Sequence, residues 1–163
     1  MTSLAQLVTA LNRGLFAMAK WLVYAIVFLM LWEVVSRYFF AHPTSWAPEL
    51  ATLIFGPFFL LGGPYLLHLG GHVAVDVLSE KASGRFAKLL HLLGLALAVA
   101  FGAILLWFSL PLVLQSFSYG ETSYSAWNPV LWPAKCFLPL ASLLLVLQAL
   151  ANAILTFADT EAA

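Results

Sequence analysis

The sequence predicts an all-α integral membrane protein of four transmembrane helices with short interfacial helical segments, and three observations predict it. Of 163 residues, 63% are hydrophobic and 9% charged, with mean hydropathy +0.98, far from the balance of a soluble domain. Four segments, near 16–40, 47–68, 87–117 and 132–157, are long and apolar enough to cross a hydrocarbon core of about 30 Å. They lack the period-2 alternation of barrel strands, and lipid requires every backbone polar group to be satisfied internally, so these spans are helices. Together they form a single membrane domain over 1–163.

The apolar run from Trp21 to Trp32 continues into a longer helix with no small-residue cleavage site, so the first helix is expected to stay in the mature protein. Ala41-His42-Pro43-Thr44-Ser45-Trp46-Ala47-Pro48-Glu49 reads as a stop, an N-cap and a second helix start. So short a connection makes the first two helices antiparallel neighbours. Glu49 falls in the first turn of helix two, where a carboxylate suits the positive end of the helix dipole; docking to an external partner is its other reading. Gly56-Pro57 and Gly62-Gly63-Pro64 predict a kinked or interrupted helix two. Close packing through small residues explains them better than a substrate site at a broken helix, because no second segment of this kind sits at a matching position.

In the stretch 69–86, Val73, Val77, Leu78 and Phe86 fit one side of a short interfacial helix, with His72, Asp76, Lys81 and Arg85 forming a polar connecting segment. Helix three, at about 31 residues, exceeds a perpendicular crossing and must tilt or protrude. The loop from Gly120 to Pro129 is polar and aromatic, and Tyr119, Tyr124, Trp127 and Trp132 suit an interfacial belt. Cys136 is the single cysteine; it cannot form an internal disulfide and is read as a packing residue at the start of helix four.

Seven Lys or Arg offset seven Asp or Glu, so no net field points to nucleic acid. Arg13, Lys20, Lys81, Arg85 and Lys88 lie on one side, against Arg37 and Lys135 on the other, which predicts both termini in the cytoplasm and the 41–48 and 118–131 loops outside. In a bacterium that outside is the periplasm. No repeat of 20 to 50 residues is visible, which argues against a carrier built from two inverted halves, and no catalytic centre is recognisable. Glu33 and Arg37, spaced i,i+4, fit an intrahelical ion pair. Charges at this depth face protein or water, so they either satisfy each other against a partner helix or touch a transported ion. His68 and His72 share a helical face and His91 opens helix three on the same side, which raises haem ligation. Their place near the helix ends favours interfacial hydrogen bonding.

The run Glu33-x-x-x-Arg37-Tyr38, then Ser45-Trp46-x-x-Glu49-Leu50, then Gly71-His72-Val73-x-Val75-Asp76-x-Leu78, in a four-helix context, resembles the small membrane subunit (DctQ family) of tripartite ATP-independent periplasmic (TRAP) transporters. The resemblance covers roughly residues 16 to 157, with one departure: Pro48 stands where a more helix-friendly residue is expected. It implies a non-enzymatic subunit of the bacterial inner membrane, with no cofactor of its own. A large membrane subunit would bind sodium ions and carry an organic anion by symport, and a periplasmic substrate-binding protein would deliver the anion. The implied partners are these two proteins and membrane lipids. Trp32, Glu33 and Arg37 would then meet the large subunit, and Trp46, Glu49, Glu121 and Trp127 the binding protein. A small membrane haem or redox subunit, or an autonomous homo-oligomeric carrier, are the rival readings.

Overall fold

The computed structural model describes residues 2–70 and 85–161. The expected interfacial segment with His72, Asp76 and Lys81 lies outside the described residues, as does the side chain of Arg85. Helices α1 (Thr2–Phe39), α2 (Trp46–His68), α3 (Arg85–Ser118), α4 (Trp132–Lys135) and α5 (Phe137–Glu161) account for nearly all of the described chain. Four segments have the length and hydropathy to cross a membrane: Ser3–Phe39, Trp46–His68, Leu89–Ser118, and the α4–α5 unit Trp132–Ala158. The spans alternate in direction, so the 40–45 and 119–131 connections share one end of the bundle, here the loop end. The two termini share the other.

Helix α5 is the hub. It packs against α1, α2 and α3, while among the described residues α3 touches neither α1 nor α2. The burial pattern follows from this arrangement. On α3 the buried positions are Leu95, Gly102, Ser109 and Ser116, seven residues apart, which is the narrow seam of a helix with a single long neighbour. Small residues on that seam let the backbones approach, as lipid-embedded helices require. Gly102 is the closest point: a Cβ there would lie 2.7 Å from Val146 Cγ2 and 3.3 Å from the Ser142 carbonyl oxygen. On α1 the same seven-residue register holds Ala5, Asn12, Ala19 and Glu33, with Leu29 and Ser36 in the companion register.

Three local features differ from the sequence expectation. Helix α1 begins at Thr2 rather than near 16, because a polar residue that dilutes hydropathy there serves packing: Asn12 is buried and bonded to Gln148. Of the expected kink or interruption in α2, the interruption is absent: the helix continues through Pro57 and Pro64, both buried. Each proline forfeits one ladder bond, yet its ring fills interhelical space. Ser45, at the N-cap, makes no side-chain cap bond, since the third helical position is Pro48, which has no N–H to offer. The α4–α5 junction has a matching cause. Pro139 cannot donate to the Lys135 carbonyl, and the ladder breaks there while Cys136 keeps helical angles (φ −59°, ψ −26°).

Towards the termini a polar network ties three helices. Gln148 of α5, fully buried, accepts from Asn12 Nδ2 at 2.8 Å and donates to Thr9 Oγ1 and Asn152 Oδ1, both at 3.0 Å. Asn152 Oδ1 lies 2.9 Å from His68 Nδ1, joining α2 to the same network. Because Asn152 Oδ1 already accepts from Gln148, the His68 nitrogen facing it is the protonated one.

Two expectations test this packing. Gly102→Ala should lower thermal stability in detergent by about 1–3 kcal/mol through overpacking. Gly56→Ala, whose added methyl meets nothing within 4 Å, should leave it unchanged or raise it by up to about 1 kcal/mol; equal melting of the two variants would refute the seam. Gln148→Leu should cost about 2 kcal/mol, at roughly 0.6 kcal/mol for each of three membrane hydrogen bonds, and an unchanged melt would show the network to be energetically idle.

Candidate partner interface

The loop end is assembled from charges held by neighbours in the chain. Glu33, 3% exposed, accepts from Arg37 Nε at 3.0 Å and Nη2 at 2.5 Å. Its second oxygen accepts from the Thr44 backbone N–H at 2.8 Å and from the Thr44 hydroxyl. One carboxylate thus pairs with its own helix and pins the 40–45 turn across to α2. The turn is closed by His42 N–H donating to the Ser36 carbonyl at 3.0 Å and by the Ser36 hydroxyl donating to the His42 carbonyl. Ala41 is held in the left-handed region at φ 52°, a conformation costing an L-residue roughly 1 kcal/mol.

The 119–131 connection is an ordered hairpin. Leu131 N–H donates to the Glu121 carbonyl at 3.0 Å and Ser123 N–H to the Pro129 carbonyl at 3.1 Å, around a bridge between Thr122 and Val130. At its tip Tyr124 N–H donates to Asn128 Oδ1 at 2.9 Å and Asn128 N–H to Ser125 Oγ at 2.9 Å. The Ser125 hydroxyl in turn donates to Glu49 Oε2 at 2.5 Å, fastening the tip to the first turn of α2. Lys135 of α4 donates to Glu121 in the second ion pair found among the described residues. The Lys135 ammonium holds the Glu121 carboxyl below the ordinary value of 4.5. Phe117 and Trp132 close the base edge to face, with centroids 5.3 Å apart.

Over this frame lie exposed aromatic side chains: Tyr119, Tyr124, Tyr38 and Phe39 are each more than three-quarters exposed, and Trp32, Trp46 and Trp127 are exposed to a lesser degree. A family model described as "Tripartite ATP-independent periplasmic transporters, DctQ component" matches residues 26–159, most of the chain and all of this end. The chain belongs to the DctQ family. No curated protein matches it in a sequence comparison. As a DctQ protein it is a membrane-spanning component of a tripartite transporter.

Within this DctQ chain, the residues singled out from sequence fall into two groups. Glu33, Glu49 and Glu121 are each engaged by a donor within the subunit. Trp32, Trp46, Trp127 and the half-exposed Arg37 side chain are presented outward. His68 and His91 stand on α2 and α3, which make no contact. His68 is committed to Asn152. Among the described residues no three His, Cys, Asp or Glu side chains converge as a metal site would need. The sequence reading overlooked Thr44, Ser125 and Lys135, whose partners are 11, 76 and 14 residues away. Asn12, Gln148 and Asn152 were overlooked too, although polar residues inside apolar runs were their signal.

The depressed Glu121 pKa fixes the sign of a pH effect. The ion pair's contribution is fully present above 4.5 and is lost as pH falls through the lower folded value. Glu121→Gln should therefore lose less stability across that window than the parent protein does. Parallel melts at pH 6 and about pH 3 read this directly, and identical slopes for the two proteins would remove the role of the pair.

Proposed function

We propose that this subunit holds and orients the other two components of a TRAP secondary transporter and does not itself carry the solute. The observation that carries the reading is the loop end: three intramolecular carboxylate ties, Glu33 to Thr44, Glu49 to Ser125 and Glu121 to Lys135, hold both connections still beneath a layer of exposed aromatics. A preordered surface loses little conformational freedom on binding, and Tyr and Trp are the side chains that anchor protein interfaces. In this reading the loop end faces the periplasm of a bacterial inner membrane, where the binding protein arrives with an organic anion. The long apolar flanks of α1 and α3 lie along the large subunit, with Trp32 and Arg37 at the outer edge of that contact. Sodium-coupled symport belongs to the large subunit. The positive-inside distribution of Lys and Arg and the membership in the DctQ family support this arrangement.

Affinity purification of the chain in mild detergent should recover a large polytopic membrane subunit in near-equal amount. Tyr124→Ala with Trp127→Ala should keep that recovery while lowering binding-protein-dependent uptake in proteoliposomes about fivefold or more, the effect of losing an anchor worth at least about 1 kcal/mol. Recovery of a stable homo-oligomer that transports alone would overturn the proposal, and a Soret band in the purified protein would replace it with the haem reading.

A further inference from the structure

At the opposite end of the molecule a cavity of about 590 Å³ opens along the crease between α1 and α2, with Leu155 of α5 behind it. Its α1 wall carries Arg13 and Gln6 beside Ala10, Gly14 and Ala17, and its α2 wall carries Tyr65 and His68. On α1 the lining forms two adjacent stripes, polar Gln6, Thr9 and Arg13 beside small Ala10, Gly14 and Ala17. Ala10, Gly14 and Ala17, spaced i, i+4, i+7, leave the floor without bulk, and a Cβ at Gly14 would meet nothing within 4 Å. Arg13 is exposed and has no hydrogen-bond or ion-pair partner among the described residues. His68 is held through Nδ1 by Asn152, which leaves Nε2 as its free ring nitrogen and fixes the ring at the cavity wall.

We propose that this cavity binds one anionic phospholipid of the adjacent leaflet. The lipid phosphate would sit against Arg13, with the Gln6 side-chain amide as a further donor, and an acyl chain would lie over Ala10, Gly14 and Ala17. Three features select this occupant. An arginine facing a cavity at the end of a membrane span takes a phosphate diester through two parallel N–H donors. Basic pockets between transmembrane helices are recognised seats for lipid head groups. The floor is apolar and continues into the span, which suits a chain attached to the phosphate and not a free inorganic anion. The site is independent of the loop-end surface, so it stands or falls separately from the proposed scaffold role.

The test is native mass spectrometry of the full chain, purified with its membrane partner where one co-purifies, after titration with phosphatidylglycerol, phosphatidylcholine or glycerol 3-phosphate. Phosphatidylglycerol should be retained at one copy, phosphatidylcholine markedly less, and glycerol 3-phosphate should not displace it. Arg13→Ala should weaken retention about fivefold, the loss of one interfacial cation, and Arg13→Lys should restore part of it. Gly14→Leu should block the chain groove and weaken retention while leaving the Arg13 charge in place. Lys20→Ala, which removes a cation of the same helix outside this cavity, should leave retention unchanged. Equal binding of the two lipids, undiminished binding by Arg13→Ala in a protein of unchanged melting temperature, or displacement by glycerol 3-phosphate would each overturn the site.

Discussion

Water is absent from the hydrocarbon, so a polar group placed between these helices is costly unless another part of the chain answers it, and the architecture follows from how most of them are answered, Asn12 Oδ1 and Ser116 Oγ being the buried atoms left without a partner among the described residues. Polar pairing is concentrated at the two ends and small-residue packing fills the length between them. At one end Gln148 gathers Asn12, Thr9 and Asn152, and through Asn152 it reaches His68. At the other, three carboxylates each take a donor from a separate element. Between them α5 contacts all three long helices. A helix with that many neighbours needs a broad buried face, and Ala141, Ser142, Leu144, Gln148, Ala149, Ala151 and Asn152 supply it. Helix α3, with a single seam, leaves most of its circumference outward.

That division explains what the sequence made legible. Span number, helical class and the i,i+4 pairing of Glu33 with Arg37 depend on local composition and spacing, which a linear reading captures. The start of α1 did not, because its first turns are kept by tertiary contact of Asn12 with Gln148, residues 136 positions apart. Capping at Ser45 failed for a reason that was visible, since Pro48 has no N–H at the position a serine cap needs. The continuity of α2 was decided by burial of Pro57 and Pro64 against neighbours, which no one-dimensional pattern reports. For the loop end, the sequence identified the segments and the acidic residues but not their partners within the chain, because Glu49 meets Ser125 and Glu121 meets Lys135 across turns that no local spacing reports.

The two ends are also chemically distinct. The loop end neutralises its carboxylates internally and turns aromatic side chains outward. The terminal end leaves Arg13 unpaired among the described residues beside an open cavity. An amphipathic aromatic layer and an exposed cation are what the two interfaces of a bilayer select.

Rigidity is the property that joins fold to proposed role. A transporter that alternates between two faces needs one part that moves and another against which it moves, and the elements suited to motion are those with few locks and irregular backbone. This DctQ chain has the opposite character. Among the described residues Pro57, Pro64 and Pro111 sit inside continuous helices, the 119–131 hairpin is bonded at the tip, base and flank, and the seam leaves too little space at Gly102 for even one added methyl group. Sliding α3 along α5 would drive Val146 and the Ser142 carbonyl against side chains that replace that glycine in the contact. A body so constrained would transmit position and not displacement, which is what the proposed scaffold role requires.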